Sequence, residues 1–494
     1  MVFHTDTRML FNSYLFVFAF LPFTVIIYHL LRRAGLYKTS LAVLSVMSFV
    51  FYAYNHPAYL IILLFSILSN HLISKGILHF TNAGHRKGLL AAGIVVNIAL
   101  IFYFKYFHFV VDNANRILQT NFHIENIALP LGISFFTFQQ ISYLVDSYRG
   151  ETKDYNFIEY VAFVSFFPQL VAGPIVLHKE LIPQFRNPVK KVDSDMLAHG
   201  IYIFAAGMFK KVIMADTLGL AVDWAWSNLA LLSSLEIILV TITYTFQIYF
   251  DFSGYCDMAI GISKMFGLTL PQNFNSPYKA TSILDFWKRW HMTLTRFLTQ
   301  YIYIPMGGNR KGTFRTYTNI LIVFLISGIW HGANWTFILW GILHGIAQVL
   351  NRIFEKTWNK CHSAFQWICT FCFVNVMWLL FRAESIGQAA SLLKRIITMR
   401  AFTISQAFTS NFCLKEIDSL LQLSGSLYQQ TIARIDGFYM WLMLLFSLVI
   451  CLNAPTLHEK NFKPTVSKAL GASVLLFWSI ISFEGVSAFL YFNF

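Results

Sequence analysis

ISGIWHGANWTFILWGILHG (Ile326–Gly345) is apolar enough to sit at membrane depth, yet it carries a histidine in its middle, followed by Asn334 and Trp335. A buried ionisable group in hydrocarbon is costly unless it is satisfied or faces a cavity, so such residues are functional suspects. If the segment spans a bilayer, the protein is a membrane bundle with something polar at its centre.

The rest of the chain supports that reading. Of 494 residues, 56% are hydrophobic and only 12% charged, about half the charge of a soluble protein. Mean hydropathy is +0.57. Apolar runs of bilayer-crossing length recur at Leu10–Leu31, Leu41–Ile73, Leu89–Val111, Leu229–Phe250, Thr316–Trp330, Trp335–Leu350, Phe365–Phe381, Phe438–Leu452 and Leu470–Leu490. They predict an all-α polytopic membrane protein with about 10–12 transmembrane or re-entrant helices. The first run lacks an A-x-A-like site and ends in Arg32 and Arg33, so it is expected to remain as the first crossing. The net charge of +14 does not point to nucleic acid, because the cations sit in short loops between apolar runs. Such loops set orientation, and Arg32, Arg33 and Lys38 place the loop after the first crossing on the cytoplasmic side.

No internal repeat and no separate soluble domain is visible, so residues 1–494 read as one membrane domain. Its core is expected at about 129–350, an amphipathic loop at about 383–436, and C-terminal transmembrane helices at about 437–494. Cys369 and Cys372 form a CxxC inside an apolar helix without a second ligand pair, which reads as structural thiols; no metal site is expected. "MGGNRKG" (Met306–Gly312) lacks the residue order of a phosphate-binding P-loop and reads as a tight turn.

The stretch from Tyr244 to His344 differs in kind. It mixes aromatic, charged and Gly/Pro residues at a density tolerated at membrane depth only where protein or a wet cavity surrounds them. A central tunnel is therefore expected here. "TYTFQIYFDFSGYCDMAIG" supplies Gln247, Tyr249, Asp251 and Asp257, with the aspartates read as scaffold of the tunnel wall through a cap or an ion pair. "SPYKATSILDFWKRWHMTLTRFL" (Ser276–Leu298) reads as a basic amphipathic helix whose cations could also receive phosphates. His291 on this helix has an interfacial reading as well as a functional one. Asn334 and Trp335 fall three and four residues after His331, on one face if the segment is helical. Asn334 would then fix the imidazole, and Trp330 and Trp335 would shield it. Burial disfavours imidazolium, and a neutral imidazole is the state a general base needs. From the residues alone, His331 is either a structural hydrogen-bonder or a base.

"FWKRWHMTLTRFL" followed by "SGIWHGANWTFILWG" resembles the paired histidine motifs of the membrane-bound O-acyltransferase family, most closely its bacterial polysaccharide branch, the alginate O-acetyltransferase membrane subunits. "LPLGISFFTFQQISYLVDSYRG", "FFPQLVAGPI", "QIYFDFSGYCDMAIG", "LPQNFNSPYKATSILDFW" and "NVMWLLFRAES" are similar in the same order, over roughly Met9 to Ser385. The resemblance implies helices around a tunnel, the family's defining histidine at His331 and the second at His291. It further implies acetyl-CoA as donor substrate, with no permanently bound cofactor, and Lys279, Lys288, Arg289 and Arg296 as candidates for the CoA phosphates. The acceptor would be an extracytoplasmic polysaccharide of the alginate type, with peptidoglycan or another envelope glycan as the alternative. A multi-pass protein of the bacterial inner membrane, in contact with lipid and with a separate periplasmic acetyltransferase, is the expected setting. The acetyl group would reach the polysaccharide directly or through that partner. Asn334, His291 or a backbone N–H of the broken helix would stabilise the developing oxyanion.

A rival from another class is a transporter or channel using His331 and the aspartates as an ion relay. It predicts substrate flux without acetyl transfer, and the missing half-to-half similarity argues against repeat-built transporters. A non-catalytic assembly subunit is a third reading; it predicts that His331→Ala leaves function intact.

Overall fold

The computed structural model describes all residues except 1–8, 126, 153–154, 188–192, 400, 413, 415–436, 455–456, 459–461, 484–488 and 491–494. Among the described residues the chain is helical, with no strand. Seven helices among the described residues are long and apolar enough to cross a bilayer: Phe16–Arg33, Pro57–His79, Ala83–Leu118, Ser194–Ser227, Ser234–Met265, Gly312–His331 and Ser363–Arg382. Tyr37–Asn55, Trp335–Ile353 and the shorter Phe438–Asn453 and Val466–Ile481 join them. The apolar run Leu41–Ile73 is two helices. His56 is extended and Pro57 opens the second helix, a position where its missing N–H is harmless.

Ser234–Met265 is the axis of the bundle and is buried over most of its length. Ser194–Ser227 lies antiparallel against it because paired glycines let the backbones meet. A Cβ on Gly207 would stand 2.7 Å from the Gly254 carbonyl, and one on Gly261 would stand 2.6 Å from that of Gly200. Small residues are what allow such close crossings within a membrane.

Charges inside this core are paired. Lys210 and Lys211 sit in a π-helical turn, Lys210–Ala215, which directs consecutive side chains to different partners. Lys210 donates to Asp257 at 2.6 Å, and Lys211 donates to both Asp251 and Asp216 at 2.7 Å. The C-terminal segment closes the network, with His458 Nε2 3.1 Å from Asp257 and the Leu490 N–H 3.0 Å from Asp251. The charges of Asp251 and Asp257 are thus met within the protein.

At the end of the bundle that carries Arg32, Glu159 takes Arg186 at 2.6 Å and the Tyr37 hydroxyl, and caps its own helix through the Asn156 N–H. Of the expected amphipathic loop at 383–436, Ile386–Thr398 is an amphipathic helix burying Ala389 and Leu392. Residues 415–436 of that loop lie outside the described residues.

Candidate active site

Gly312–His331 ends at its histidine because Gly332 is extended (φ −169°, ψ 158°). The chain turns and re-enters as Trp335–Ile353. The two limbs close tightly, since a Cβ on Gly328 would stand 2.4 Å from the Phe337 carbonyl. The turn corrects the expectation that His331, Asn334 and Trp335 share a helical face. Asn334 caps the second limb, accepting from the Thr336 N–H at 3.0 Å, while its amide donates to the Glu384 carbonyl at 3.0 Å. Trp335 is half exposed and donates to Asn113. Neither flanks the imidazole. Trp340, one and a half turns further on, does so instead.

His331 is 3% exposed. Its ring meets Trp330 and Trp340 at 5.0 Å each and Phe381 at 5.4 Å. The His291 ring lies 6.4 Å away between centroids, so the two histidines of the paired motifs share one site. The indole N–H of Trp340 is buried and has no acceptor among the described residues.

His291 occupies a break, because Ser276–Leu298 is not the single helix expected. It forms a short turn at Pro277–Lys279 and two helices, Ile283–Arg289 and Met292–Leu298. His291 joins the two helices in the left-handed region (φ 45°), a conformation that a non-glycine residue holds only when its surroundings enforce it. Asn273 provides that enforcement. Its Oδ1 accepts from the Thr293 N–H at 3.1 Å and hydroxyl at 2.8 Å, and it lies 3.2 Å from His291 Nδ1. Its Oδ1 can only accept, so Nδ1 of His291 carries the proton and Nε2 is the basic nitrogen. A third buried imidazole, His344, accepts from the Trp287 indole N–H at 3.2 Å and packs 4.6 Å from Trp340.

Two cavities bracket this cluster. One of about 300 Å³ runs beneath it, lined by Trp287, Phe324, Ser327 and Gln348, with Lys288 and Arg352 on its wall. The other, of about 30 Å³, is lined by Lys105, Gly132, Ser134 and Trp330. His331 lines neither; rings of Trp287, Trp330 and Trp340 stand between. Of the four cations suggested for phosphates, Lys288 alone lines the larger cavity. Arg296 is held by Glu180 and the Ile175 carbonyl, and Arg289 by Asp285 at 2.9 Å. Lys279 ends the short Pro277 turn away from that cavity. Tyr249 and Asp257 line a separate cavity of about 120 Å³ with Lys210 and His458, and Gln247 packs its amide against Gly219.

Sequence reading passed over Lys105, Asn273, Trp340, His344 and Arg352. Two of them carry a signal: Lys105 is a lone cation in the apolar run Leu89–Val111, and His344 is a lone imidazole in Trp335–Leu350.

A profile of the membrane-bound O-acyltransferase family (MBOAT) matches residues 98–386, which takes in both histidines and the helices that carry them. The chain belongs to this family. It is therefore a multi-pass membrane O-acyltransferase, and the ion-relay and assembly-subunit readings give way. Among its relatives, a peptidoglycan O-acetyltransferase of Helicobacter pylori is 37% identical over 524 residues, covering 98% of each chain. A probable alginate O-acetylase AlgI of Pseudomonas aeruginosa is 37% identical over 423 residues, covering 84% of this chain and 79% of that one. A teichoic acid D-alanyltransferase of Bacillus subtilis is 27% identical over 310 residues, covering 60% of this chain and 76% of its own length. This acyltransferase thus matches relatives from three branches of envelope chemistry, two of them over most of its length.

Proposed function

We propose that this chain transfers an acetyl group from acetyl-CoA to a hydroxyl on an envelope glycan, with His331 as the general base. The acceptor oxygen attacks the acetyl carbonyl while its proton passes to the imidazole. The C–S bond then breaks, and the departing thiolate takes that proton from the imidazolium. The observation that carries this reading is the meeting of His331 and His291 in one buried site, each on a break in its helix. With Nδ1 as its donor, neutral His291 offers the substrates an acceptor at Nε2 and not an N–H for the oxyanion. Asn334 is committed elsewhere. The Trp340 indole N–H, buried beside His331, is the donor we assign to the oxyanion.

Charge gives the direction of transfer. Gly312–His331 starts beside Arg310, Lys311 and Arg315, and its 20 residues span about 30 Å. By the positive-inside rule that start is cytoplasmic, so His331 lies toward the outer side. The larger cavity, with Lys288 and Arg352, would admit the CoA arm from the cytoplasm. Such an arrangement fits the bacterial inner membrane, where CoA thioesters and glycan lie on opposite faces. A separate outer-face acetyltransferase is the partner that would relay the acetyl group to glycan beyond this chain's own reach.

Peptidoglycan is favoured as acceptor over an alginate-type exopolysaccharide. Similarity to the peptidoglycan O-acetyltransferase runs through the C-terminal helices, whereas similarity to the alginate O-acetylase spans 84% of the chain. The test is to delete the gene in the parent organism and measure alkali-released acetate in purified peptidoglycan and in exopolysaccharide. Acetate should vanish from peptidoglycan, return with the native chain and stay absent with His331→Ala. Full return with His331→Ala would overturn the base assignment; loss confined to exopolysaccharide would overturn the acceptor.

A further inference from the structure

Lys105 and Tyr106 lie at the end of a π-helical turn, Phe102–Tyr106, within Ala83–Leu118. The widened turn brings both side chains to the last turn of Gly312–His331. Tyr106 donates its hydroxyl to the Ile329 carbonyl at 2.7 Å. The Lys105 ammonium donates to the Trp330 carbonyl at 2.8 Å and to the His331 carbonyl at 3.0 Å, and lies 3.4 Å from the Ser134 hydroxyl. Three consecutive carbonyls are thus met by two consecutive residues of another helix.

A helix leaves its last four carbonyls without intrahelical partners, and lipid offers no water to satisfy them. Here the backbone cannot continue the ladder, because Gly332 is extended. An ammonium has three N–H donors and no acceptor, and Lys105 has three oxygens around it. No carboxylate pairs with it among the described residues. Its favourable field is the negative end of the helix dipole, and the carbonyl it grips is that of His331 itself.

We infer that Lys105 is a positioning residue: it clamps the end of the helix that carries His331 and so fixes the imidazole where the acceptor hydroxyl arrives. This rests on His331 as the base. Without the clamp the final turn frays, and the imidazole samples orientations that no longer face the acetyl carbonyl. Donor binding, which takes place beneath the aromatic rings along Trp287 and Ser327, does not depend on it.

The experiment uses the full chain in lipid nanodiscs, with acetyl-CoA titrated, soluble peptidoglycan fragments as acceptor and CoA thiol release as readout. Lys105→Met is expected to lower kcat at least 30-fold with KM for acetyl-CoA within twofold of native. Lys105→Arg, which restores donors to the same carbonyls, should recover at least tenfold of that loss. Native kcat in Lys105→Met, a change in KM alone, or arginine no better than methionine would each overturn the inference. Should Lys105→Met not accumulate as folded protein, Lys105→Gln takes its place against Lys105→Arg with the same criteria. His331→Ala in parallel separates the two ideas. If it is inactive while Lys105→Met is native, the clamp fails alone; if it is fully active, the underlying reading fails first.

Discussion

Trp340 brings one N–H to the wall of the His331 site, and removing it is a minimal perturbation. Trp340→Phe keeps an aromatic ring against His331 and deletes the donor. Loss of an oxyanion donor typically costs about 3–4 kcal/mol, or about 10²–10³-fold in kcat. That fall should appear in CoA release with KM for acetyl-CoA little changed. The indole isostere benzothienylalanine, with sulfur in place of N–H, should behave like phenylalanine; native kcat for that variant would remove the assignment. His331 stood out in the sequence as a polar residue in an apolar run, and His291 through the long motif that accompanies it. Trp340 did not, because its place exists only after folding; Lys105 stood out as a lone cation, but its partner did not. One waits on a hairpin returning it to His331, the other on a helix more than 200 residues away in sequence. The misplacement of Asn334 and Trp335 had a local cause. A glycine followed two residues later by an asparagine is a stop and a new N-cap, and apolar composition concealed it.

At the level of elements, the glycine crossings carry the architecture. Gly207 and Gly254 meet across two antiparallel helices with no room for a side chain, and the charges of Lys210 and Asp257 pair one turn away. Gly254→Leu forces the helices apart. Overpacking costs about 1–3 kcal/mol, so the detergent-solubilised protein should melt several degrees lower and accumulate poorly. An unchanged melting curve would show that this crossing is not tight in the membrane. Helix existence was readable from hydropathy, whereas helix breaks were less so. The segment around His291 has the charge and aromatic pattern of one amphipathic helix. What divides it is Asn273, eighteen residues earlier, whose side chain holds Thr293 and His291. Long-range capping of this kind leaves no periodic signal.

Across the whole molecule, buried ion pairs bind distant parts of the chain into one body. Asp257, on the central helix, holds Lys210 and His458, and removal of one member of a buried pair typically costs about 3–5 kcal/mol. Asp257→Ala should therefore loosen the C-terminal helices, seen as faster limited proteolysis after Asn453. Glu159 sets a dependence on acidity. Burial opposes its ionisation, but hydrogen bonds from Arg186, Tyr37 and the Asn156 N–H outweigh it, and its carboxyl is held below the usual carboxylate range. A group whose folded pKa is depressed stabilises the fold above its unfolded pKa and loses that contribution as pH falls through the folded value. The melting temperature should therefore decline as the buffer is taken below about pH 4.5, and Glu159→Gln should flatten that decline while lowering stability at neutral pH. Identical acid profiles for the two proteins would refute the linkage. That the molecule is a membrane bundle was plain from composition; which charges neutralise one another was not, because partners 27 to 201 residues apart carry no common motif.

Trp287 lines the larger, basic cavity and Trp330 the smaller one beside Lys105, and Trp340 and His331 link the two rings in one aromatic chain. A conduit that carried two-carbon units across an energised membrane while standing open would also short-circuit it. On the proposed route, the edge-to-face rings of Trp287 and Trp340 and the ring of Trp330 would have to part for a neutral acyl group while denying hydronium and sodium a continuous file of water. Cells producing Trp330→Gly should show a lowered membrane potential by a voltage-sensitive dye, whereas cells producing the native chain at the same level should hold theirs.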